Sequence, residues 1–325
     1  MTDQPKIGWQ PGGFVTEPGI YPSIPLDDYH GKITKEHSVS HSGLERLWSQ
    51  SPAHYWDRSP YNPDADVDEP TEPMILGRAA HHLFMGERGF KDHFVARPLR
   101  LAGYEWNSRR NEHKAWLEEQ AKKGLTVLLP SQIESIMGMR RALAAEPLVQ
   151  QGLLSGRIEQ SLVWRDPVTG VWIKSRPDAI PTEGGDFVDL KCVSSVTPND
   201  LSRMIGDRGY HRQGATICEG AHHCLGLPLK FGGPGEEGLS FTLVFVETKR
   251  PHCVEIVTLK PGDLQRGVQE NHAALRLLKR CLDSNDWPGP SGHQADARYI
   301  GIPEWQQRQD EYRLQSINAQ LSIKL

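Results

Sequence analysis

SRPDAIPTEGGDFVDLKC, residues 175–192, is the stretch that decides the fold. Val171 to Arg176 reads as a strand, and Phe187 to Cys192 reads as a short strand after it. Alternate side chains of a strand share a face. Asp189 and Lys191 therefore point one way, with Leu190 turned to the core. Asp178 stands at the end of the earlier strand and Asp189 lies within the next. The pattern brings two carboxylates and an ammonium to one spot.

That grouping suits a particular chemistry. Hard divalent ions take carboxylate oxygens, a backbone carbonyl and waters. Such an ion polarises a phosphodiester and acidifies an attacking water. The Lys191 ammonium can stabilise charge in the transition state. The Leu190 carbonyl is a further candidate ligand. Glu159, which opens an earlier strand, places a third carboxylate within reach of the metal, or else caps a solvated strand end. A D-x-K triplet by itself is more often a surface ion pair. The Arg176-Pro177-Asp178 run, the hairpin before it and the helix after it set this triplet apart.

Working outward, Ile158 to Arg165 alternates like a strand, and Pro167 to Gly170 turns it back into Val171 to Arg176. Residues 201–225 read as largely helical. Leu239 to Glu247 is a clear strand, with His252 to Leu259 beside it, and Leu264 to Leu282 is a helix. On the amino-terminal side a helix starts near Ser42, its candidate N-cap. Met74 to Met85 and Ser131 to Ala145 are helices, and 97–125 is a basic helix with flexible flanks. Residues 1–35, rich in Pro and Gly, form an irregular arm, leaving 36–325 as one domain. The order predicts an α/β fold with a mixed central sheet flanked by helices.

Composition bounds the partners. The 325 residues carry a net charge of -4, so no global basic field marks a nucleic-acid binder. Local basic groups do occur: Arg97, Arg100, Arg109 and Arg110 form one, and Arg203, Arg208 and Arg212 form another. Each is either a solvated face or a DNA contact. No apolar run reaches the length of a membrane span, and no secretory signal opens the chain, so the expectation is cytoplasmic. Five dispersed cysteines, with no C-x-x-C pair, argue against a disulfide framework or an iron–sulfur cluster. Cys218, His222, His223 and Cys224 could supply zinc ligands, but adjacent histidines point to different sides of a helix.

At these residues the chain resembles the exodeoxyribonuclease VIII-like branch of the PD-(D/E)xK nucleases, the phage-type recombination exonucleases. The likeness runs from about Tyr29 to Trp305. It includes Val39-Ser40-His41-Ser42-Gly43-Leu44, the L-G-x-A-x-H helix ending at His81, and Glu159-Gln160-Ser161. It continues through Arg176-Pro177-Asp178, Asp189-Leu190-Lys191 and Tyr210-His211-Arg212-Gln213.

The resemblance implies that Asp178, Asp189 and the helical His81 surround the metal, with Lys191 as the catalytic lysine. Gln213 matches the glutamine of the family's Q-x-x-x-Y helix, and Glu159 matches a family glutamate. Ile217 stands where the family has Tyr. The implied cofactor is Mg²⁺, with Mn²⁺ as the alternative and no iron–sulfur cluster. The implied activity is 5′→3′ exonuclease action on linear double-stranded DNA, leaving 3′ single strands for recombination. Implied partners are duplex ends, an annealing protein or recombinase, and further copies of the chain in a ring. The competing reading is a catalytically inactive DNA-end-binding accessory of the same fold, supported by Ile217.

Overall fold

The computed structural model describes residues 8–22, 24–66, 69–158, 160–233, 236–294 and 296–322. Two strands dominate it. Asp186–Val193 and Ser240–Glu247 pair in parallel along their whole length, with Asp189 opposite Leu243 and Lys191 opposite Phe245. They are central in a five-stranded mixed sheet of order 254–258, 240–247, 186–193, 179–180, 157–158. Parallel strands covered on both faces read as nearly unbroken apolar runs, and Ser240 to Val246 is buried throughout.

Alternation divides these strands between two cores. Phe187, Val193, Phe241, Leu243 and Phe245 belong to the larger one, together with Ile217, Leu264 and Leu275 from two helices. Val188, Leu190, Val244 and Val246 join Ala79, Ala80, Ile136 and Met139 in the other. Helices Tyr210–Leu225 and Pro261–Ser284 thus contribute to the core on the odd-numbered face, and helices Glu72–Phe84 and Pro130–Ala145 to that on the even-numbered face. Phe187, Phe241 and Phe245 have no exposed surface, and each fully buried apolar side chain of this size contributes about 1.5–3 kcal/mol. Gly214 permits the close approach, because a Cβ there would stand 2.5 Å from the Phe241 ring.

The single run of strands expected over 158–192 is in fact divided between two sheets. Ser161–Arg165 and Trp172–Ser175 pair antiparallel in a four-stranded sheet of order 19–21, 161–165, 172–175, 38–40. The chain then crosses at Arg176 to Asp178 into the short strand Ala179–Ile180, which pairs with Asp186–Val193 in the five-stranded sheet. Alternation reports which residues share a face, not which strand lies alongside, so this crossing had no local signal.

Residues 8–35 also differ from the irregular arm expected. Gly19–Tyr21 pairs with Ser161–Arg165, Leu26–His30 is a short helix, and Tyr21, Ile24, Tyr29 and Ile33 form a third core with Val163 and Trp172. Residues 97–125 hold a two-stranded hairpin, Arg100–Leu101 with Tyr104–Glu105, before the helix Asn111–Lys122. The described residues up to Pro290 form one compact unit. Those from Ser291 on are a separate unit, with a helix Glu304–Ser322 that the polar sequence had not signalled. No helix among the described residues is long and apolar enough to cross a membrane.

Candidate active site

Asp189 and Lys191 lie on the odd-numbered face of their strand, toward the core that helix Tyr210–Leu225 helps to form. That helix starts at Gly209, whose φ of +63° suits glycine and whose missing Cβ leaves room for the Glu45 carboxylate. Its first turns meet the strand. Gln213 Nε2 donates to Asp189 Oδ1 at 2.7 Å, and Lys191 Nζ lies 4.9 Å from the centre of the Tyr210 ring. Asp189 Oδ2 is buried 2.6 Å from Lys191 Nζ and has no hydrogen-bond partner beyond that ion pair among the described residues.

Asp178 arrives from the crossing. Its Oδ2 accepts from the Leu190 backbone N–H at 2.7 Å and from His81 Nε2 at 2.8 Å. The helix Glu72–Phe84, which contributes to the opposite core, supplies that histidine. Leu190 itself belongs to the second core, as alternation requires. His81, Asp178, Asp189, Leu190, Lys191 and Gln213 are thus linked directly, three elements of the fold converging on one strand. Glu159 lies outside the described residues.

The electrostatics are those of crowded carboxylates in a dry place. Burial and the neighbouring Asp178 charge push the Asp189 carboxyl above its ordinary value, against the pull of Lys191. Burial disfavours the Lys191 ammonium, but the Asp189 and Asp178 charges outweigh it and raise its pKa. Burial likewise opposes charge on His81, and the charge and hydrogen bond of Asp178 lift it to about 9.

These residues meet the demands of a hard cation. Among the described residues no three His, Cys, Asp or Glu side chains form a ready cage. A small divalent ion that keeps several waters needs only one or two carboxylates. Asp178 and Asp189 offer hard oxygens, and Asp189 Oδ2 is a buried acceptor answered by a single ammonium. His81 bonds to Asp178 and orients it. The zinc grouping is not supported: Cys224 donates to the Val163 carbonyl, and His222 Nδ1 lies 2.7 Å from the Leu227 carbonyl.

Three neighbours escaped the sequence reading as site residues. Tyr210 lies beneath the Lys191 ammonium. His41 carries a buried Nδ1 with no hydrogen-bond partner among the described residues. Burial, and then the charges of Lys191, Arg212 and His211, push it down to about 3. Arg212 binds Glu45 through Nε and Nη2 and Glu270 through Nη1, tying three helices together at the head of the site helix. The Y-H-R-Q and S-H-S-G-L runs contained these residues but gave no local clue to their contacts. Ile217, by contrast, is 1% exposed in the main core.

A cavity of about 640 Å³ opens beside Asp178 and His81, with Arg78, Arg176, His30 and His93 on its walls. Comparison with known proteins agrees with this architecture. A crystal structure from Eubacterium rectale, provisionally named as an exonuclease, superposes with a TM-score of 0.57 at 14% identity, covering 86% of this chain and 96% of that one. The likeness shows a shared fold. An alkaline exonuclease from Laribacter hongkongensis matches at 12% identity over 55% of this chain and 90% of its own, but its TM-score of 0.20 carries no argument. No curated protein sequence matches the chain. A family model described as a PDDEXK-like domain of unknown function (DUF3799) matches residues 40–298, and the chain belongs to that family.

Proposed function

We propose that the protein is a divalent-metal-dependent deoxyribonuclease that hydrolyses phosphodiesters of linear duplex DNA, acting as a 5′→3′ exonuclease. The observation that carries this reading is the convergence of Asp178, Asp189 and Lys191, with Gln213 and His81 orienting the two carboxylates.

Asp178 and Asp189 would hold Mg²⁺ or Mn²⁺, with the Leu190 carbonyl as a further ligand, and Glu159 is the remaining candidate carboxylate. The bound ion supplies Lewis acidity at the phosphate and at its own water. The protein's residues do the rest. Gln213 fixes one oxygen of Asp189, while the Leu190 N–H and His81 fix one oxygen of Asp178. Lys191, kept protonated by its carboxylates, places a positive charge where the phosphate gains negative charge. Arg78 and Arg176 give the adjacent cavity two guanidiniums that suit the phosphates of an incoming strand.

Duplex ends as substrate, 3′ single strands as product, and an annealing protein, a recombinase or a ring of further copies as partners belong to the same reading. They draw on the resemblance of the motifs. The inactive alternative rests on Ile217 at the usual Tyr position, and that residue lies in the main core.

The test is incubation of end-labelled linear duplex and closed circular DNA with Mg²⁺ or with EDTA. Mg²⁺-dependent loss of the linear form, with the 5′ label released first, is the expected result. Digestion of both forms would replace exonuclease with endonuclease. Digestion of neither, with Mg²⁺ or Mn²⁺, would sink the reading.

A further inference from the structure

The hairpin at 97–110 has no part in the chemistry above, yet its composition is unusual for this chain. Residues 97–114 carry five Arg or Lys against two Glu, while the whole chain is net -4. Aromatic rings are interleaved with that charge. Trp106 is half-buried and stacks on His113 at 4.7 Å, with Arg97 over it at 5.4 Å. Trp116 meets it edge-on at 5.5 Å. Trp106 is therefore an anchor that fixes the hairpin to the helix Asn111–Lys122.

Tyr104 is different. The Arg110 guanidinium sits 3.5 Å from its ring centre, and the residue remains 51% exposed. Arg109, next in the chain to that Arg110, is exposed as well. The strand Arg100–Leu101 pairs with Tyr104–Glu105 in a two-stranded ribbon of its own, outside the larger sheets. The two-residue turn holds Ala102 at φ +52°, a conformation that L side chains seldom adopt and that the tight hairpin demands.

Position supplies the second argument. Phe94, three residues before Arg97, lines the cavity that also contains Asp178 and His81. The paired strand begins at Arg100, six residues on from Phe94, and six extended residues span no more than about 20–22 Å, so the hairpin starts within that distance of the cavity wall.

We propose that this hairpin is a binding platform for single-stranded DNA, with Tyr104 stacking on an unpaired base and Arg109 meeting a flanking phosphate. A ring backed by a guanidinium and open on its outer side suits the flat face of a base, and stacking tolerates any sequence. Base faces are hidden within a duplex, so the ligand is an unpaired strand. The proposal rests on the reading of the protein as a DNA enzyme and adds a grip on the strand that hydrolysis leaves behind.

The experiment is fluorescence anisotropy of a labelled oligothymidylate and of a blunt duplex with the full chain in EDTA, where no cleavage intervenes. Tyr104→Ala should weaken oligothymidylate binding about tenfold or more, while Tyr104→Phe stays within about twofold of wild type. Arg109→Gln should lower the salt dependence of that binding by roughly 0.7 in logarithmic slope. Both side chains are exposed, and a thermal melt of each variant checks the fold. Blunt-duplex affinity should be unchanged by Tyr104→Ala. The proposal is overturned if Tyr104→Ala binds the oligonucleotide like wild type, or if the duplex loses affinity in parallel. A wild-type chain that digests duplex with Mg²⁺ yet ignores the oligonucleotide would refute the platform and leave the nuclease reading intact. Binding of the oligonucleotide with no digestion would do the reverse.

Discussion

Lys174 is buried and Lys191 half-buried, on strands of two different sheets, and the fold treats them in opposite ways. Lys174 in the four-stranded sheet is 3% exposed and donates to the carbonyls of Tyr29 and Gly31 at 2.6 and 2.8 Å. Neutral carbonyls only partly offset the loss of water, and burial pushes its pKa down to about 8. Lys191 in the five-stranded sheet meets two carboxylates, which raise its pKa despite burial. The first lysine is a clamp holding the amino-terminal segment to the sheet, and the second is the charge that the proposed function assigns to chemistry. The difference shows that a buried lysine is read from its acceptors and not from its burial.

Exchanging the roles gives the largest contrast. Lys191→Ala should cut Mg²⁺-dependent digestion by about 10²–10³-fold, the loss typical of one transition-state donor, with the fold retained. Lys174→Met should leave the rate per folded molecule unchanged and lower stability by about 2–4 kcal/mol, because two buried carbonyls lose their donor. Single-turnover digestion and urea denaturation of both variants check this. Equal losses of activity in the two would erase the distinction.

The lysines also differ in the sign of their pH dependence. Between about 8 and the ordinary lysine value, the unfolded chain holds a proton on Lys174 that the folded chain has released. Stability should therefore rise with pH across that window, by at most roughly 3 kcal/mol from this group. Lys191, raised in the folded state, contributes stability that is complete below the ordinary lysine value and fades above it. Denaturation midpoints from pH 7 to 11, in wild type and in Lys174→Met, isolate the first effect: the variant should lose the rise.

A smaller effect tests position 217, one turn beyond Gln213 on the same helix face. Ile217→Tyr would place a larger side chain in the filled main core and should cost about 1–3 kcal/mol without improving digestion. A faster enzyme would return position 217 to the site. The smallest effect concerns the hairpin. Ala102→Gly should raise stability by about 0.5–1 kcal/mol by removing the positive-φ penalty, measured by thermal melting.

Much of this was legible beforehand, for reasons that particular residues make clear. Asp189, Leu190 and Lys191 form a strand whose period assigns faces without any other part of the chain. FTLVFVE, residues 241–247, announced a buried central strand in the same way. Tyr210, His41 and Arg212 were invisible as neighbours of the site, since nothing local distinguishes them from other polar residues near a helix start. The helix Glu304–Ser322 was missed because its apolar residues, Trp305, Tyr312, Leu314 and Ile317 among them, form no single stripe and are all exposed.

By itself, then, the sequence determined the long central strands, the faces of Asp189 and Lys191, and the grouping of acidic and basic residues there. These are properties of a few consecutive residues, set by backbone periodicity. Tertiary structure alone decided that strands 172–175 and 186–193 belong to different sheets, and that His81 reaches Asp178 across 97 residues of chain. It also decided that Gln213 orients Asp189, and that one buried lysine meets carbonyls while the other meets carboxylates. Those outcomes depend on which helix covers which face. That is settled by the packing of whole cores, in which every local segment has the same alternation to offer and only the combined fit chooses its partner.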